Sequence, residues 1–315
     1  MVRYLVKEDI LITSEQALPT ATRIAGKVSD YFKANGKSVA VFGMSGGIDS
    51  AVTGAILSMA EEVKPLAFIM PCDSHPEDCD LAIEQADELG IPWEIVDLTK
   101  DYHSLASHFA DDRGMEGELV GMCSRHGLAT LPSYGLRRIA RGNIKARLRM
   151  ITLYHAAQLT QGIVISTDNY SELCLGFWTI CGDVGDLGPL QFCLKTEVYT
   201  MADALPIIKP IKERAPSDGL MVTDENTDEA QIGTDYGGVD TVIEMLEVAG
   251  FVPHNLPDNF LKVTTDVMNK CGVGDNTMGV VDKVVKRIIG TSWKRRIPIN
   301  FTREELEIGS ISSDS

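Results

Sequence analysis

A chain of 315 residues with 44% hydrophobic side chains, 28 Gly and 13 Pro is long enough for one large α/β domain or two ordinary ones, and its composition is neither disordered nor collagen-like. The 45 acidic against 29 basic residues leave a formal charge of −16, which repels phosphate backbones and disfavours a nucleic-acid partner. Seven cysteines without a C-x-x-C pair exclude a zinc ribbon or thioredoxin-type site, and the absence of a signal peptide or bilayer-length apolar run predicts a cytoplasmic protein with no membrane partner.

In chain order, residues 38–44 (SVAVFGM) predict a buried strand, and 50–62 a helix without proline. Residues 66–70 (LAFIM) predict a second strand, 77–89 a helix with acids at its start and Gly90 at its end, and 94–98 a third strand. Such repetition of strand and helix implies parallel strands, hence an α/β fold with a layered parallel sheet and helices on both faces. Residues 110–135 are Gly-rich without clear period and predict a long surface excursion, a candidate lid over a bound substrate. A basic helix at 137–159, a strand at 162–167 and a helix at 195–205 follow. Beyond Tyr236 the pattern predicts three amphipathic helices, near 239–249, 259–270 and 277–289, and a polar tail from Glu304. The domain expectation is one unit over 1–303, with a nucleotide-binding sheet at 17–235 and a helical part at 236–303.

Between the first strand and its helix lies Ser45-Gly46-Gly47-Ile48-Asp49-Ser50. Glycines there allow a sharp turn that brings backbone N–H groups to an anion, and the helix adds its positive dipole end. Ser45 and Ser50 offer hydroxyls, and Asp49 a carboxylate suited to Mg²⁺ beside phosphates. No Lys follows the glycines, so this is not a Walker A loop; the bland alternative is a tight turn capped by Asp49 or Ser50. The string resembles that of the PP-loop ATP pyrophosphatases, which cleave ATP between the α- and β-phosphates.

Further motifs narrow the resemblance. Gly142-Asn143-Ile144-Lys145-Ala146-Arg147, Ser166-Thr167-Asp168-Asn169-Tyr170-Ser171-Glu172, Gly176-Phe177-Trp178-Thr179, Gly182-Asp183, Leu194-Lys195-Thr196-Glu197, Pro216-Ser217-Asp218 and Lys294-Arg295-Arg296-x-Pro298 occur in the order and spacing of the NAD⁺ synthetase family, from about Ala17 to Phe301. The resemblance implies adenylylation of the nicotinate carboxylate of deamido-NAD by ATP, then attack by ammonia. It implies ATP contacts at Gly43, Met44, Ser45, Gly46, Gly47, Ile48, Asp49, Ser50, Thr167, Lys195 and Ser217, and Mg²⁺ on Asp49 and Glu172. Asp49 and Lys195 are the implied catalytic pair. Arg147, Asp183, Asp186 and Lys294 fall where the family binds deamido-NAD, with Arg149 a rival to Arg147. The family also forms homodimers, for which the 137–159 and C-terminal helices offer apolar faces. The resemblance leaves no room for a glutaminase domain, so ammonia is free or delivered by a separate protein.

Two positions depart from the family pattern. Ile180 stands where a Lys is usual, and Trp293 where a His usually precedes Lys294. Trp293 is either a stacking surface for the acceptor or a core anchor for the C-terminal tail. Both departures lie on the acceptor side, which keeps open another PP-loop amide ligase with a different carboxylate, or a nucleotide-binding module without catalysis. Cys72, Asp73, His75, Glu77, Asp78 and Cys79 lack the paired spacing of a zinc site and predict a polar strand-to-helix turn with Pro76 at the helix start.

Overall fold

A computed structural model describes residues 11–109, 115–127, 134–217, 219–220 and 227–296. Its elements in chain order are α1 (Ser14–Ala34), β1 (Val39–Gly43), α2 (Ile48–Met59), β2 (Lys64–Ile69), α3 (Pro76–Glu88), β3 (Trp93–Ile95), α4 (Thr99–Ser107), α5 (Met115–His126) and α6 (Tyr134–Thr160). There follow β4 (Ile163–Val164), α7 (Tyr170–Leu175), α8 (Lys195–Ala204), α9 (Lys209–Glu213), α10 (Asp228–Ile232), α11 (Tyr236–Val248), α12 (Phe260–Cys271) and α13 (Asp275–Gly290). No described helix is long and apolar enough to cross a membrane.

The four described strands pair in parallel in the order β3-β2-β1-β4. Strand β1 sends Ala40 and Phe42 to one face and Val41 to the other, following the two-residue period of a strand. Both faces are covered, which is why its sequence is a continuous apolar run and not an alternation. Helices α1, α2, α3 and α8 pack on the first face, and α6 packs on the second through Met150, Leu153, Ala156 and Ala157. The sheet with helices on both faces is therefore as the sequence predicts. A second core, built by α7, α11, α12 and α13, gathers Cys174, Val239, Val242, Leu246, Val263, Val285 and Ile288. The three C-terminal helices match their amphipathic signals to within a few residues.

Corrections concern polar or alanine-rich segments. Residues 110–135 are not one irregular excursion: α5 forms within them and α6 already begins at Tyr134, while 110–114 and 128–133 lie outside the described residues. Gly117 and Gly121 blur the period of α5, but its Glu, Leu, Met and Arg residues offset two interior glycines at about 1 kcal/mol each. Helix α1 carries no strong hydrophobic signal because its buried stripe begins Ala17, Ala21, Ala25, small residues that let it lie close to α8. Helix α4 escapes notice because it buries only Ala106. The third strand is shorter than predicted, ending at Ile95. Pro76 does open α3, with Glu77 and Asp78 in its first turn, and Gly90 follows its end with φ +64°. The polar tail from Glu304 lies outside the described residues.

Helix α11 departs from a plain apolar face by burying two acids, Asp240 and Glu244. Asp240 has partners, whereas Glu244 Oε1 has no hydrogen-bond partner among the described residues. Burial, with the charges of Asp240 and Glu197, pushes the Glu244 carboxyl up to about 7. A folded pKa above the unfolded value means that Glu244 supports the fold fully below about pH 4 and loses that contribution as pH rises through 7. Glu244→Gln should therefore stabilise the chain at pH 8 by about 2–3 kcal/mol, with the advantage closing near pH 5. Thermal melts of both proteins across that range check it; a variant no more stable than wild type at pH 8 contradicts it.

Candidate active site

The chain leaves β1 towards β2 and β3 and returns on the other side as β4. That reversal opens a crevice at the carboxyl ends of β1 and β4, the usual ligand position in open α/β sheets. Gly43 to Ser50 line it, with Thr167, Glu172, Asp183, Lys195 and Ser217. Gly46 has φ +79°, and a Cβ there would lie 2.4 Å from the Asp78 carbonyl oxygen, so the turn requires glycine. The loop is tied internally: Ser45 N–H donates to Ser50 Oγ at 3.1 Å, Gly47 N–H donates to Ser45 Oγ at 3.2 Å, and Ser50 Oγ donates to Gly47 O at 2.9 Å. Asp49 does not cap α2, as the bland reading of the turn would have it; it points at α7 and α8.

Asn169 connects the pieces. It caps α7, its Oδ1 accepting Glu172 N–H at 3.0 Å while Glu172 Oε2 accepts Asn169 N–H at 3.2 Å. Its Nδ2 donates to Asp49 Oδ1 at 3.0 Å. Lys195, at the start of α8 and 1% exposed, donates through Nζ to Asp49 Oδ2 at 2.5 Å and to Glu172 Oε1 at 3.5 Å. Its Nζ also lies 4.9 Å from the Tyr236 ring centroid. The Tyr236 hydroxyl is 3.3 Å from Glu172 Oε1 and 3.1 Å from Asp228 Oδ2, donating to one at a time.

Burial alone would pull the Lys195 pKa down, but Asp49 and Glu172 reverse this and raise it, so the ammonium persists. Burial drives Glu172 well above the usual carboxylate range, with Lys195 opposing. Further along the crevice, burial and the neighbouring Asp183 push Asp168 up to about 7. Ser166 Oγ donates to Asp168 Oδ2 at 2.8 Å, and Thr179 N–H donates to Asp183 Oδ2 at 2.5 Å. Thr179 Oγ1 also donates to Asn143 Oδ1 at 2.8 Å, joining two motifs that the sequence places far apart.

The sequence-derived acceptor residues divide. Asp183 lines the crevice, but Arg147, Asp186, Trp293 and Lys294 do not. Arg147 is exposed and donates to Ile180 O at 3.2 Å; its rival Arg149, two residues on and so on another helix face, lines the crevice and donates to Met70 O at 3.2 Å. Asp186 accepts Val164 N–H at 3.0 Å and the Tyr154 hydroxyl at 2.9 Å, so it extends the pairing of β4. Lys294 donates to Gly176 O at 2.5 Å and to Trp178 O, and burial lowers its pKa to about 8. Trp293 is 56% exposed, which excludes the core-anchor role; Arg295 holds that segment by donating to His254 O at 2.6 Å and Cys174 O at 2.9 Å. Sequence reasoning missed Arg214, Tyr236 and Asp228: they stand outside the motifs, and the DxxxxxxxY spacing of the last two carries no signal by itself.

Comparison with known proteins gives a family model, described as NAD synthase, that matches residues 20–298. A relative from Syntrophomonas wolfei, named NH(3)-dependent NAD(+) synthetase, is 32% identical over 82% of this chain and 85% of its own length. Among solved structures, an NMN synthetase from Francisella tularensis is 26% identical with a TM-score of 0.60, covering 83% of this chain and 95% of that one. An NH3-dependent NAD synthetase from Campylobacter jejuni shares the fold, with a TM-score of 0.63 at 20% identity over 91% of this chain and 99% of that one.

Removing Lys195 would leave the buried Glu172 beside Asp49 without its cation, a loss of about 3–5 kcal/mol for a broken buried pair. Lys195→Met should therefore lose at least about 3 kcal/mol at pH 8. The deficit should shrink as pH falls towards 5, because Glu172, already raised, takes up a proton. Denaturant unfolding at both pH values checks this; a variant as stable as wild type at pH 8 contradicts it.

Proposed function

The chain belongs to the NAD synthase family, and we propose that its crevice carries out the ATP-dependent amidation of deamido-NAD with ammonia. The observation that carries this is the Asp49–Lys195–Glu172 group, with Lys195 and Glu172 buried, beside a glycine loop at a helix N-terminus. A carboxylate is a poor leaving group, so one of its oxygens attacks the α-phosphorus of ATP and pyrophosphate departs. The N-terminal end of α2 and the Lys195 ammonium face the charge that develops on the departing phosphates, the Ser45 and Gly47 N–H groups being bonded within the loop. Ammonia nitrogen then attacks the acyl carbon of the adenylate, AMP leaves with the former carboxylate oxygen, and the nitrogen loses a proton. Asp168, buried beside Asp183 and titrating near neutrality, is suited to receive that proton.

Mg²⁺ fits the residues present. Asp49 and Glu172 both line the crevice as hard oxygen donors, and no group of three His, Cys, Asp or Glu among the described residues is arranged to hold a metal alone. Two carboxylates completed by phosphate oxygens and water is the usual way Mg²⁺ is bound. When bound it would neutralise charge on the departing pyrophosphate. Ser45, Ser50, Thr167 and Ser217 are the proposed ATP contacts and Asp183 the proposed acceptor contact, with Arg149 lining the crevice where Arg147 does not. A homodimer with its site of action in the cytoplasm completes the proposal, with exposed Ile139, Ile151, Tyr154 and Leu159 on α6 as the apolar face.

A second reading concerns the acceptor alone. Ile180 replaces a cation, Asp186 is engaged by β4, and one similar structure is an NMN synthetase, so a nicotinate mononucleotide is the rival carboxylate. Mass spectrometry of mixtures containing ATP, Mg²⁺, ammonium and either acceptor decides between them. The proposal expects NAD⁺ from deamido-NAD at higher kcat/KM, and Asp49→Asn should lower kcat by about 100-fold while still binding ATP. Preferential amidation of the mononucleotide would transfer the assignment, and a fully active Asp49→Asn would remove Asp49 from the chemistry.

A further inference from the structure

Asp240 lies one helix behind the crevice, on α11, and is 2% exposed. Its Oδ1 accepts the hydroxyl of Ser171, the residue before Glu172 on α7. Its Oδ2 accepts the N–H of Thr196, the residue after Lys195 on α8, at 2.8 Å. Ser171 Oγ in turn accepts the N–H of Lys195 at 2.9 Å. One carboxylate and one hydroxyl thus close a ring of hydrogen bonds between the two short helices that present Glu172 and Lys195.

The site needs such a ring. Helix α7 is six residues and α8 ten, too short to hold their ends by their own hydrogen bonds. Lys195 Nζ reaches Asp49 at 2.5 Å but Glu172 only at 3.5 Å, so a small shift of either helix changes how the ammonium is shared. Packing does not explain the choice of residue: a carboxylate buried here loses its hydration, and an apolar side chain would fill the seam between α7, α8 and α11 at less expense. A carboxylate is the group that accepts both a hydroxyl and an N–H with its two oxygens.

We propose that Asp240 is a positioning residue for the phosphate chemistry: by holding Ser171 and the first turn of α8 together, it sets the separation of the Glu172 carboxylate and the Lys195 ammonium. The proposal rests on the ATP-using function given above. It differs from a stabilising role in what it moves, since the geometry of Lys195 bears on ATP and on turnover but not on the acceptor's own contacts.

The test uses the full chain and titration calorimetry with ATP, together with steady-state amidation. Asp240→Asn replaces one of the two accepting oxygens by an NH₂, so whichever way the amide turns, only one of the two hydrogen bonds that Asp240 accepts from Ser171 and Thr196 is kept. ATP should bind about 5- to 10-fold more weakly and kcat should fall at least about 10-fold, with KM for deamido-NAD within about twofold of wild type. Ser171→Ala opens the same ring and should act in the same direction, and the double variant should be little worse than the worse single one. Glu244→Gln, one turn along α11 and outside the ring of hydrogen bonds, should bind ATP and turn over as wild type does. If Asp240→Asn does not fold, Ser171→Ala carries the same expectation. Normal ATP affinity and kcat per folded molecule with only a lowered Tm would overturn the proposal, as would additive losses in the double variant. A wild-type chain that binds ATP but makes no amide would count against the acceptor, while weaker ATP binding by Asp240→Asn would still support the positioning role. A wild-type chain that binds no ATP would overturn both.

Discussion

A single ammonium, that of Lys195, is the point on which the rest of this structure depends. It is buried at the junction of α2, α7, α8 and α11, and a cation there is tolerable only because Asp49 and Glu172 share it. The converse also holds in part, since that ammonium opposes the desolvation that drives Glu172 above the usual carboxylate range. Asn169 then ties Asp49 to the α7 cap. Each charged group is therefore fixed by another element of the fold, and the crevice is preorganised before any substrate arrives.

Two bodies of apolar packing meet at this point. The sheet and its helices supply Asp49 and the glycine loop, and the switch in strand order supplies the opening. The C-terminal helical core supplies the back wall, with Tyr236 against Lys195 and Asp240 against the α7 and α8 turns. The helical part thus supports the wall of the crevice from behind. The buried acids of α11 are a local conflict with stability, of the kind a fold carries where geometry matters more than packing.

Much of this was legible in the sequence where the physics is local. The β1 run, the glycine turn and the amphipathic periods of α11 to α13 follow from spacing alone. Motif order singles out Asp49, Glu172 and Lys195 as candidates, and the structure brings all three within one hydrogen-bonded group. What escaped depends on long-range placement. Arg149 and Arg147 are separated only by which face of α6 turns to the sheet, and Asp186 could not be known to bond β4 without the Ile165–Leu187 bridge that brings it there. Tyr236 and Asp240 read as ordinary members of a helix until the partners on α7 and α8 are in view. The alanine stripe of α1 and the glycines of α5 mislead for a simpler reason, since small residues carry little hydrophobic signal.

In the proposed reaction a carboxylate oxygen of the acceptor passes to the α-phosphate of ATP before nitrogen is added. Deamido-NAD with ¹⁸O at both oxygens of its nicotinate carboxylate is incubated with ATP, Mg²⁺, ammonium and the full chain, and AMP, pyrophosphate and any inorganic phosphate are weighed by mass spectrometry. Each AMP formed should carry one ¹⁸O, and pyrophosphate none. Label in inorganic phosphate with ADP as the other product, or unlabelled AMP accompanying amide formation, would contradict it.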